Sequence, residues 1–423
     1  MEKLAIHGGA AVVDGHWPDW PQSSENTRRN IDAVLGSHRW SISGQYRGQA
    51  SWEERFGQAF AAYTGAAFCV PSATGTASLT MALEACEVGA HDEVIVPGVS
   101  WVASASAVLG VNAIPVLTDV EPETGCLDPS SLERAITSRT RAITVVHLGS
   151  AVANLDRLVA IAQERSIPLI EDCAQAHGAR YAGRHVGRFG AAGTFSMQHS
   201  KLLTSGEGGS VITDDAGLAR RLAHLRADGR TLSVQPPQMN EMALVETADI
   251  MGSNYCLSEF HAAILVAQLE MLDEQLERRR RNASALDSLL ISLGFSPQAT
   301  AVGTTARAHY TYVVRLPQSI VEAAGVERFA AALSAEIRLP CKPMYSALSR
   351  NRLYKPFSRK RFALDKDFTD AIDPSRYHLP VAHAFSRSCI ALPHRMLLAD
   401  ADAMVRVAAA FEKLSLSIDD LRA

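Results

Sequence analysis

The stretch IPLIEDCAQAHGA, residues 167–179, decides the fold class of this 423-residue chain. It is an apolar run that ends in Glu171 and Asp172 and is bounded by turn residues, which is typical of a buried parallel strand. The runs EVIVP at 93–97 and AITVVH at 142–147 have the same form, and helical patterns lie between the three. This alternation predicts an α/β fold with a large, doubly wound and mostly parallel sheet.

A long helical pattern at residues 258–281 marks the expected change of domain. Its leucines form one apolar stripe, and Ser258 can cap the helix. We therefore expect an N-terminal arm at residues 1–35, a large domain at 36–270 and a smaller α+β domain at 271–423.

Four other segments complete the expected layout. Residues 1–30 are polar and irregular, and the tryptophans and prolines at 16–22 indicate an arm that lies on another surface or a loosely packed terminus. An alternating pattern at 309–316 predicts a strand, and the pattern at 400–414 predicts a helix. The run Arg278–Arg281 predicts a solvated helix end near the negative pole of the dipole, with a nucleic-acid patch as the alternative.

Composition and charge limit the classes of partner. With 41 basic and 45 acidic side chains the net charge is −4, which argues against nucleic acid or an anionic membrane as the main partner. The seven cysteines are scattered without a C-x-x-C pair, so we expect neither a disulfide framework nor a metal site, and a cytoplasmic location fits. Neither a signal peptide nor a membrane-spanning stretch is predicted.

The segment SATGTASLTMALEACEVG, residues 72–89, is the first of four candidate ligand contacts. A turn of small residues leads directly into an amphipathic helix, and free N–H groups at a helix start favour an anion. The pattern predicts a phosphate at Gly75 and Thr76. The alternative is an ordinary capped helix, since serine and threonine also cap.

The strand end at Glu171 and Asp172 is the second candidate, and Trp101 is the third. Ligands bind at the carboxyl ends of strands in doubly wound folds, and a carboxylate there usually meets a cation or a protonated nitrogen. Only one of the two acids is expected to point into the site, because successive strand residues alternate faces; a cap for the following helix is the alternative. Trp101 follows the strand at 93–97, where it can stack on a flat ring or fill the core.

Lys201 is the fourth candidate. It lies in FSMQHSKLLTSGEGGSVIT, residues 195–213, between two short strand patterns and beside a flexible glycine-rich segment. An amine in a desolvated site is a nucleophile toward carbonyls and forms a Schiff base with them. The alternative is a lysine whose amine extends into solvent.

Together the four signals match the parts of a pyridoxal phosphate site. This cofactor needs a lysine for its aldehyde, an acid for its ring nitrogen, a turn for its phosphate and an aromatic side chain for its ring. The combination is far more specific than any of its parts. An NAD oxidoreductase would also fit the α/β pattern, but the dinucleotide fingerprint is missing after the early strands.

Four segments carry a family resemblance: GTA at 75–77, EDCAQAHGA at 171–179, FSMQHSK with TSGEGG at 195–209, and GSNYCLSEFHAAI at 252–264. In this order they resemble the DegT/DnrJ/EryC1/StrS aminotransferases, which are fold-type-I enzymes that use pyridoxal 5′-phosphate. The resemblance covers nearly the whole chain. It implies a homodimer whose active sites are shared between the subunits.

The resemblance implies a role for each candidate residue. Lys201 would be the Schiff-base lysine, Asp172 would pair with the pyridine N–H, Gln175 would reach the ring hydroxyl and Trp101 would cover the ring face.

The same resemblance implies the contacts to the phosphate. Gly75, Thr76 and Ser196 would bind it within one chain, and Asn254 would reach the phosphate of the neighbouring subunit. Gln198 and Tyr345 are further candidates, for contacts with the substrate; for Tyr345 a place in the core is the alternative.

The resemblance also implies the reaction. The letters FSMQ before Lys201 are similar to the cyclitol branch of the family. That branch implies transfer of the amino group of L-glutamine to a keto-cyclitol of the scyllo-inosose or 2-deoxy-scyllo-inosose type in aminoglycoside biosynthesis. The alternatives are a nucleotide-sugar aminotransferase that uses glutamate and an enzyme similar to the aminohydroxybenzoate synthases. A non-catalytic pyridoxal phosphate module is an alternative of another class.

Overall fold

The computed structural model describes residues 3–13, 17–233, 235, 237–247 and 249–421; residues 1–2 and 14–16 of the expected arm lie outside this set. The strands in chain order are β1 Phe68–Ser72, β2 Glu93–Pro97, β3 Ile114–Thr118, β4 Thr140–Val146, β5 Leu169–Asp172, β6 Arg180–Tyr181, β7 Arg184–His185, β8 Ala192–Ser196, β9 Gly209–Thr213, β10 Arg230–Leu232, β11 Leu244–Glu246, β12 Ser296–Pro297, β13 Thr304–Ala306, β14 Thr311–Arg315, β15 Lys342–Pro343 and β16 Cys389–Pro393. The helices are α1 Glu25–Ser37, α2 Trp52–Thr64, α3 Gly75–Ala85, α4 Ala103–Gly110, α5 Pro129–Ala135, α6 Leu155–Glu164, α7 Ala216–Arg226, α8 Glu259–Ser292, α9 Gln318–Ile337, α10 Lys366–Ala371, α11 Pro380–Ser388 and α12 Ala401–Leu416.

A seven-stranded sheet in the order β1-β9-β8-β5-β4-β2-β3 forms the centre of the fold. Strand β9 pairs antiparallel with β1 and β8, whereas the pairings from β8 through β5, β4 and β2 to β3 are parallel. The predicted α/β class and its mostly parallel sheet are therefore confirmed. The three strands predicted first are present as β2, β4 and β5, and nearly all their residues are buried, as expected of strands covered on both faces.

Helix α8 joins two apolar clusters. Its N-terminal half, including Leu265 and Leu276, packs with α2 and the large sheet, whereas its side chains from Ala283 onward join a second cluster. That second cluster is formed with α9, α12 and a four-stranded sheet in the order β12-β14-β16-β15. We propose that the domain change lies between Leu276 and Ala283, a few residues beyond the expected boundary at 270.

The C-terminal part of the chain is divided between the two clusters. The strand predicted at 309–316 and the helix predicted at 400–414 are present as β14 and α12, and both belong to the second cluster. Buried side chains between residues 344 and 389 instead pack against the large sheet, and among them are Leu348, Phe368 and Phe385. This return of the chain brings C-terminal residues to the edge of the large domain.

The N-terminal segment is more ordered than its sequence indicated. Ser24 accepts a hydrogen bond from the Thr27 amide, and the Thr27 side chain accepts one from the Ser24 amide, so that a capping box begins α1. The prediction of an irregular segment over residues 1–30 is therefore wrong from Glu25 onward. Before that helix, Leu4 and Val13 are buried in the second cluster.

The arginine run at 278–281 does not lie at a helix end. Helix α8 is 34 residues long and continues to Ser292, because Ala283, Leu286 and Leu290 extend its apolar stripe. Arg279 is 0% exposed. The prediction of a solvated helix end is thus wrong for this side chain.

Two further observations concern the cysteines and the hydropathy of the helices. Each of the seven cysteines is unpaired. Across the described residues, no helix combines the length and the hydropathy that crossing a bilayer requires.

Candidate active site

Lys201 lies in the hairpin loop between β8 and β9, which pair antiparallel as the sequence indicated. Backbone hydrogen bonds such as that from the His199 amide to the Gly206 carbonyl, 2.8 Å, hold the loop. The Lys201 side chain is 9% exposed, and its Nζ lies 4.2 Å from the centroid of the Tyr310 ring. The amine therefore points into the protein, and the alternative of a lysine that extends into solvent is wrong.

A cavity of about 410 Å³ borders Lys201, and its size is ordinary for a small-molecule site. Nine of the ten residues predicted for the site line it: Gly75, Thr76, Trp101, Asp172, Gln175, Ser196, Gln198, Lys201 and Tyr345. Asn254 is exposed outside the cavity, where it pairs with Ala227 in an isolated bridge. Its contact with a neighbouring subunit stays a prediction.

The start of α3 forms one end of the cavity. Thr74 caps the helix by accepting a hydrogen bond from the Ala77 amide, 3.0 Å, and the amides of Gly75 and Thr76 have no acceptor within the helix. A Cβ on Gly75 would lie 2.5 Å from the Ser196 Cβ, so only glycine allows this approach. The result is a concave group of N–H and O–H donors that suits an anion.

Asp172, the last residue of β5, lines the same cavity. Its two carboxylate oxygens accept hydrogen bonds from Ser104 Oγ, 2.8 Å, and from the Ala174 amide, 3.1 Å. Burial raises the pKa of Asp172, while these bonds and the charge of Lys201 oppose the shift. Residues 173–179 form turns and no helix, so the alternative of a helix cap is wrong. The Asp172 carboxylate instead faces the cavity, where a ligand cation would stabilise its charge.

Glu171 points to the other face of the sheet, as strand alternation predicts. Its carboxylate accepts hydrogen bonds from the amides of Gly187, Phe189 and Gly190, and it lies 3.2 Å from Nε2 of His147. Burial alone would raise the pKa of Glu171, but His147 and these amides outweigh it and hold the pKa below its ordinary value.

His147, Glu171 and Cys173 place three atoms of metal-ligand type within 4.8 Å of one another. The Ala153 amide donates to Nδ1 of His147, so Nε2 carries the proton and donates to Glu171. Neither ring nitrogen has a free lone pair. Hydrogen bonding therefore accounts for the positions of His147 and Glu171 without an ion.

The remaining predicted residues form the side walls. Trp101 is 48% exposed, which excludes the core role, and its ring centroid lies 5.9 Å from that of Tyr345. Gln175 Oε1 accepts a hydrogen bond from the Gly149 amide, 2.7 Å. Gln198 Oε1 accepts from the amide and the hydroxyl of Ser200, which leaves the Gln198 amide nitrogen for a ligand.

Tyr310 is the principal residue that the sequence did not reveal. Its hydroxyl lies 3.0 Å from Ser200 Oγ and its ring faces the Lys201 amine. Burial raises the pKa of Tyr310, but the charge of Lys201 and the hydrogen bonds outweigh it, so the pKa lies below its ordinary value. The alternation in HYTYVVRL places this side chain beside a strand, but nothing local indicates the loop it meets.

The chain matches a family model over residues 21–412, that of the DegT/DnrJ/EryC1/StrS aminotransferase family. It is 57% identical to the L-glutamine:2-deoxy-scyllo-inosose aminotransferase of Streptomyces lividus, over 98% of this chain and 97% of the relative. It is 55% identical to the L-glutamine:scyllo-inosose aminotransferase of Streptomyces griseus, over 99% and 98% of the two chains.

A solved structure supports the same fold. The crystal structure of 3-amino-5-hydroxybenzoic acid synthase superposes with a TM-score of 0.79 and 30% identity, and the match covers 95% of this chain and 99% of the other.

The hydrogen bonds that the Glu171 carboxylate accepts lead to a prediction about stability. Glu171→Gln presents an NH₂ group to the Gly187 amide or to His147, so we expect the free energy of unfolding at neutral pH to fall by about 2 kcal/mol. The native pKa of Glu171 is lowered, so its stabilisation is present above the unfolded value of 4.5 and is lost as the pH falls through the native value. The difference between variant and wild type should therefore shrink in acid, as measured by urea unfolding at several pH values.

Glu277→Gln is the matched control, because Glu277 is an exposed partner of Arg280. This change should alter the free energy of unfolding by less than about 0.5 kcal/mol at any pH. Equal stability of Glu171→Gln and wild type at neutral pH would contradict the role given to the Glu171 charge.

Proposed function

Because the chain belongs to the DegT/DnrJ/EryC1/StrS aminotransferase family, we propose that it transfers the amino group of L-glutamine to a keto-cyclitol in aminocyclitol biosynthesis. The acceptor is scyllo-inosose or its 2-deoxy derivative, and the cofactor is pyridoxal 5′-phosphate bound through Lys201. One observation carries the proposal: identities of 57% and 55% over nearly the whole chain with enzymes named for these two acceptors.

Three features of the cavity fit this cofactor. The amides of Gly75 and Thr76 with Ser196 would hold its phosphate, since a side chain at residue 75 would collide with Ser196. The buried Lys201 amine would hold its aldehyde carbon, and the buried Asp172 carboxylate would pair with its protonated ring nitrogen. When bound, the cofactor supplies an electron sink for the carbon that loses a proton.

The chain's own residues would then perform three tasks. The Lys201 amine, when it is not bound to the cofactor, would be the base that takes the proton from the donor Cα. Asp172 keeps the ring nitrogen protonated, because its charge is buried and needs a cationic partner. Trp101 and Tyr345 lie beside each other at the cavity wall and limit the access of water.

The chemistry of the cavity lining supports a cyclitol acceptor over a nucleotide sugar. Among the described residues of this chain that line the cavity, Lys201 is the one basic side chain, whereas a nucleotide diphosphate is usually bound by several cations. Hydroxyls and amides are available instead, from Gln198, Ser200, Tyr310 and Tyr345. A cyclitol carries hydroxyls around its ring and matches such a lining.

A substrate panel tests the proposed reaction. Purified protein with pyridoxal phosphate and L-glutamine should convert scyllo-inosose or 2-deoxy-scyllo-inosose to an amine, identified by mass. Lys201→Ala should give no amine and no borohydride-trapped cofactor, because the nucleophile is missing. Turnover confined to a nucleotide-linked keto-sugar with glutamate, or to an aminohydroxybenzoate precursor, would overturn the assignment.

Asp172→Asn tests the carboxylate separately. The amide keeps the size of the side chain but not its charge, so we expect the transamination rate to fall by about a hundredfold to a thousandfold. Asp402→Asn, at an exposed position on α12, should leave the rate unchanged. A wild-type rate in Asp172→Asn, with the cofactor still bound, would remove Asp172 from this role.

We also propose that two copies of the chain share their active sites, with Asn254 of each reaching the phosphate site of the other. Asn254 is exposed and lies close in sequence to Met251, which is 94% exposed. The nearby strand β11 and the loop before it expose Met239, Met242 and Val245 as well. Apolar side chains exposed in this number suit an interface between subunits.

A cytoplasmic location is proposed on the seven unpaired cysteines.

Complementation between inactive variants tests the shared site. Lys201→Ala and Asn254→Ala subunits, mixed under conditions of exchange, should form dimers in which one of the two sites is complete. Half of the dimers are mixed, so about a quarter of the wild-type activity should return. Lys201→Ala mixed with Asp172→Asn should recover nothing, because both residues belong to the same chain's site. Full activity of Asn254→Ala alone, or no recovery, would contradict the proposal.

A further inference from the structure

Three side chains from distant parts of the sequence meet beneath the Lys201 loop. They are Trp20, which precedes α1, Arg279 of α8, and His394, which follows β16. His394 Nε2 lies 3.1 Å from the Ser200 carbonyl oxygen, and Trp20 Nε1 donates to the His199 carbonyl, also at 3.1 Å. We call these three residues the lysine bracket.

The hydrogen bonds fix the tautomer of His394. Arg279 Nη2 lies 3.2 Å from His394 Nδ1, and a guanidinium can only donate, so Nδ1 is the acceptor. The ring proton is therefore on Nε2, which donates to the carbonyl of Ser200. Burial, followed by the charge of Arg279, lowers the pKa of His394 far below its ordinary value, which keeps the ring in this neutral form.

Arg279 is held in this position at a cost. It is fully buried, and within the described chain its Nε and Nη1 have no hydrogen-bond partner. Burial lowers its pKa to about 9. The guanidinium lies 4.9 Å from the Trp20 ring centroid, so a cation–π contact replaces part of the lost hydration.

Residues of the lysine bracket also contact one another and the active site. The rings of Trp20 and His394 meet edge to face with centroids 4.7 Å apart, and His394 stacks against Tyr310 at 6.2 Å. Tyr310 in turn faces the Lys201 amine. The two carbonyls just before Lys201 and the ring that faces its amine are thus held by the same group.

We propose that Trp20, Arg279 and His394 are positioning residues, which set the backbone before Lys201 so that its amine is directed toward the cofactor aldehyde before the cofactor binds. This inference rests on the proposed function. Orientation of the nucleophile favours formation of the covalent bond, but it does not affect contacts to the phosphate and the ring.

Pyridoxamine phosphate separates these two contributions. It carries an amine in place of the aldehyde, so it forms no bond with Lys201 and reports only the other contacts. The measurement is the ratio of the dissociation constants of pyridoxamine phosphate and pyridoxal phosphate, for the cofactor-free protein and its variants. A general loss of structure would weaken both compounds together and leave the ratio unchanged.

His394→Phe keeps an aromatic ring but removes the donor to Ser200, so the affinity for pyridoxal phosphate should fall about tenfold relative to that for pyridoxamine phosphate. His394→Gln restores an N–H donor and should stay within about threefold of the wild-type ratio. An unchanged ratio in His394→Phe would overturn the inference. So would an equal fall in the relative affinity for pyridoxal phosphate in His394→Phe and His394→Gln.

Trp20→Phe and Trp17→Phe form a second, matched pair. Trp20→Phe loses the bond to His199 but retains a ring beside Arg279, and the ratio should shift by about threefold even if His394→Phe fails to fold. Trp17→Phe loses a similar bond, to the carbonyl of Ile337 in the second apolar cluster rather than to a carbonyl of the Lys201 loop, and should leave the ratio unchanged. Equal ratios in the two tryptophan variants would overturn the inference.

The same measurements distinguish the two proposals. Wild-type protein that retains neither compound would overturn the proposed function, and this inference with it. Wild-type protein that binds pyridoxal phosphate covalently, with no change of ratio in the bracket variants, would overturn this inference alone.

Discussion

Two adjacent carboxylates are buried at the end of β5, and the chain stabilises them in opposite ways. Glu171 receives three backbone amides and the proton of His147, which together satisfy its charge inside the protein. Asp172 receives two hydrogen bonds and faces the cavity. Burying an isolated carboxylate costs several kcal/mol. The two hydrogen bonds and the charge of Lys201 offset part of this cost for Asp172, and a ligand cation in the cavity would stabilise its charge further.

The sheet topology explains why the other parts of the site meet Asp172. Strands β1, β2, β5 and β8 run in the same direction, and each is followed at its carboxyl end by one part of the site. Gly75 follows β1, Trp101 follows β2, Asp172 ends β5 and Lys201 follows β8. In a sheet of this kind the carboxyl ends form one edge, so four segments separated in sequence are brought to one cavity.

These four parts of the site could be predicted from the sequence because the signal for each of them is local. A strand that ends in an acid, a small-residue turn before a helix and a lysine between short strands can each be read within about fifteen residues. Tyr310 and His394 are different, since their places are set by where the C-terminal part of the chain packs. Helix α1 was missed for a local reason: threonine stands where glutamate is expected in a capping box.

Arg279 shows why burial could not be deduced from the arginine run. Charge runs are usually solvated. Arg279 is buried instead because it contacts Trp20 and His394, which lie hundreds of residues from each other in the chain. Within the described residues Arg279 forms no ion pair, and an apolar side chain of similar volume would cost less to bury. Packing alone would therefore favour its replacement. What such a replacement would remove is the donor that fixes the His394 tautomer, and with it the direction of the hydrogen bond to the carbonyl before Lys201.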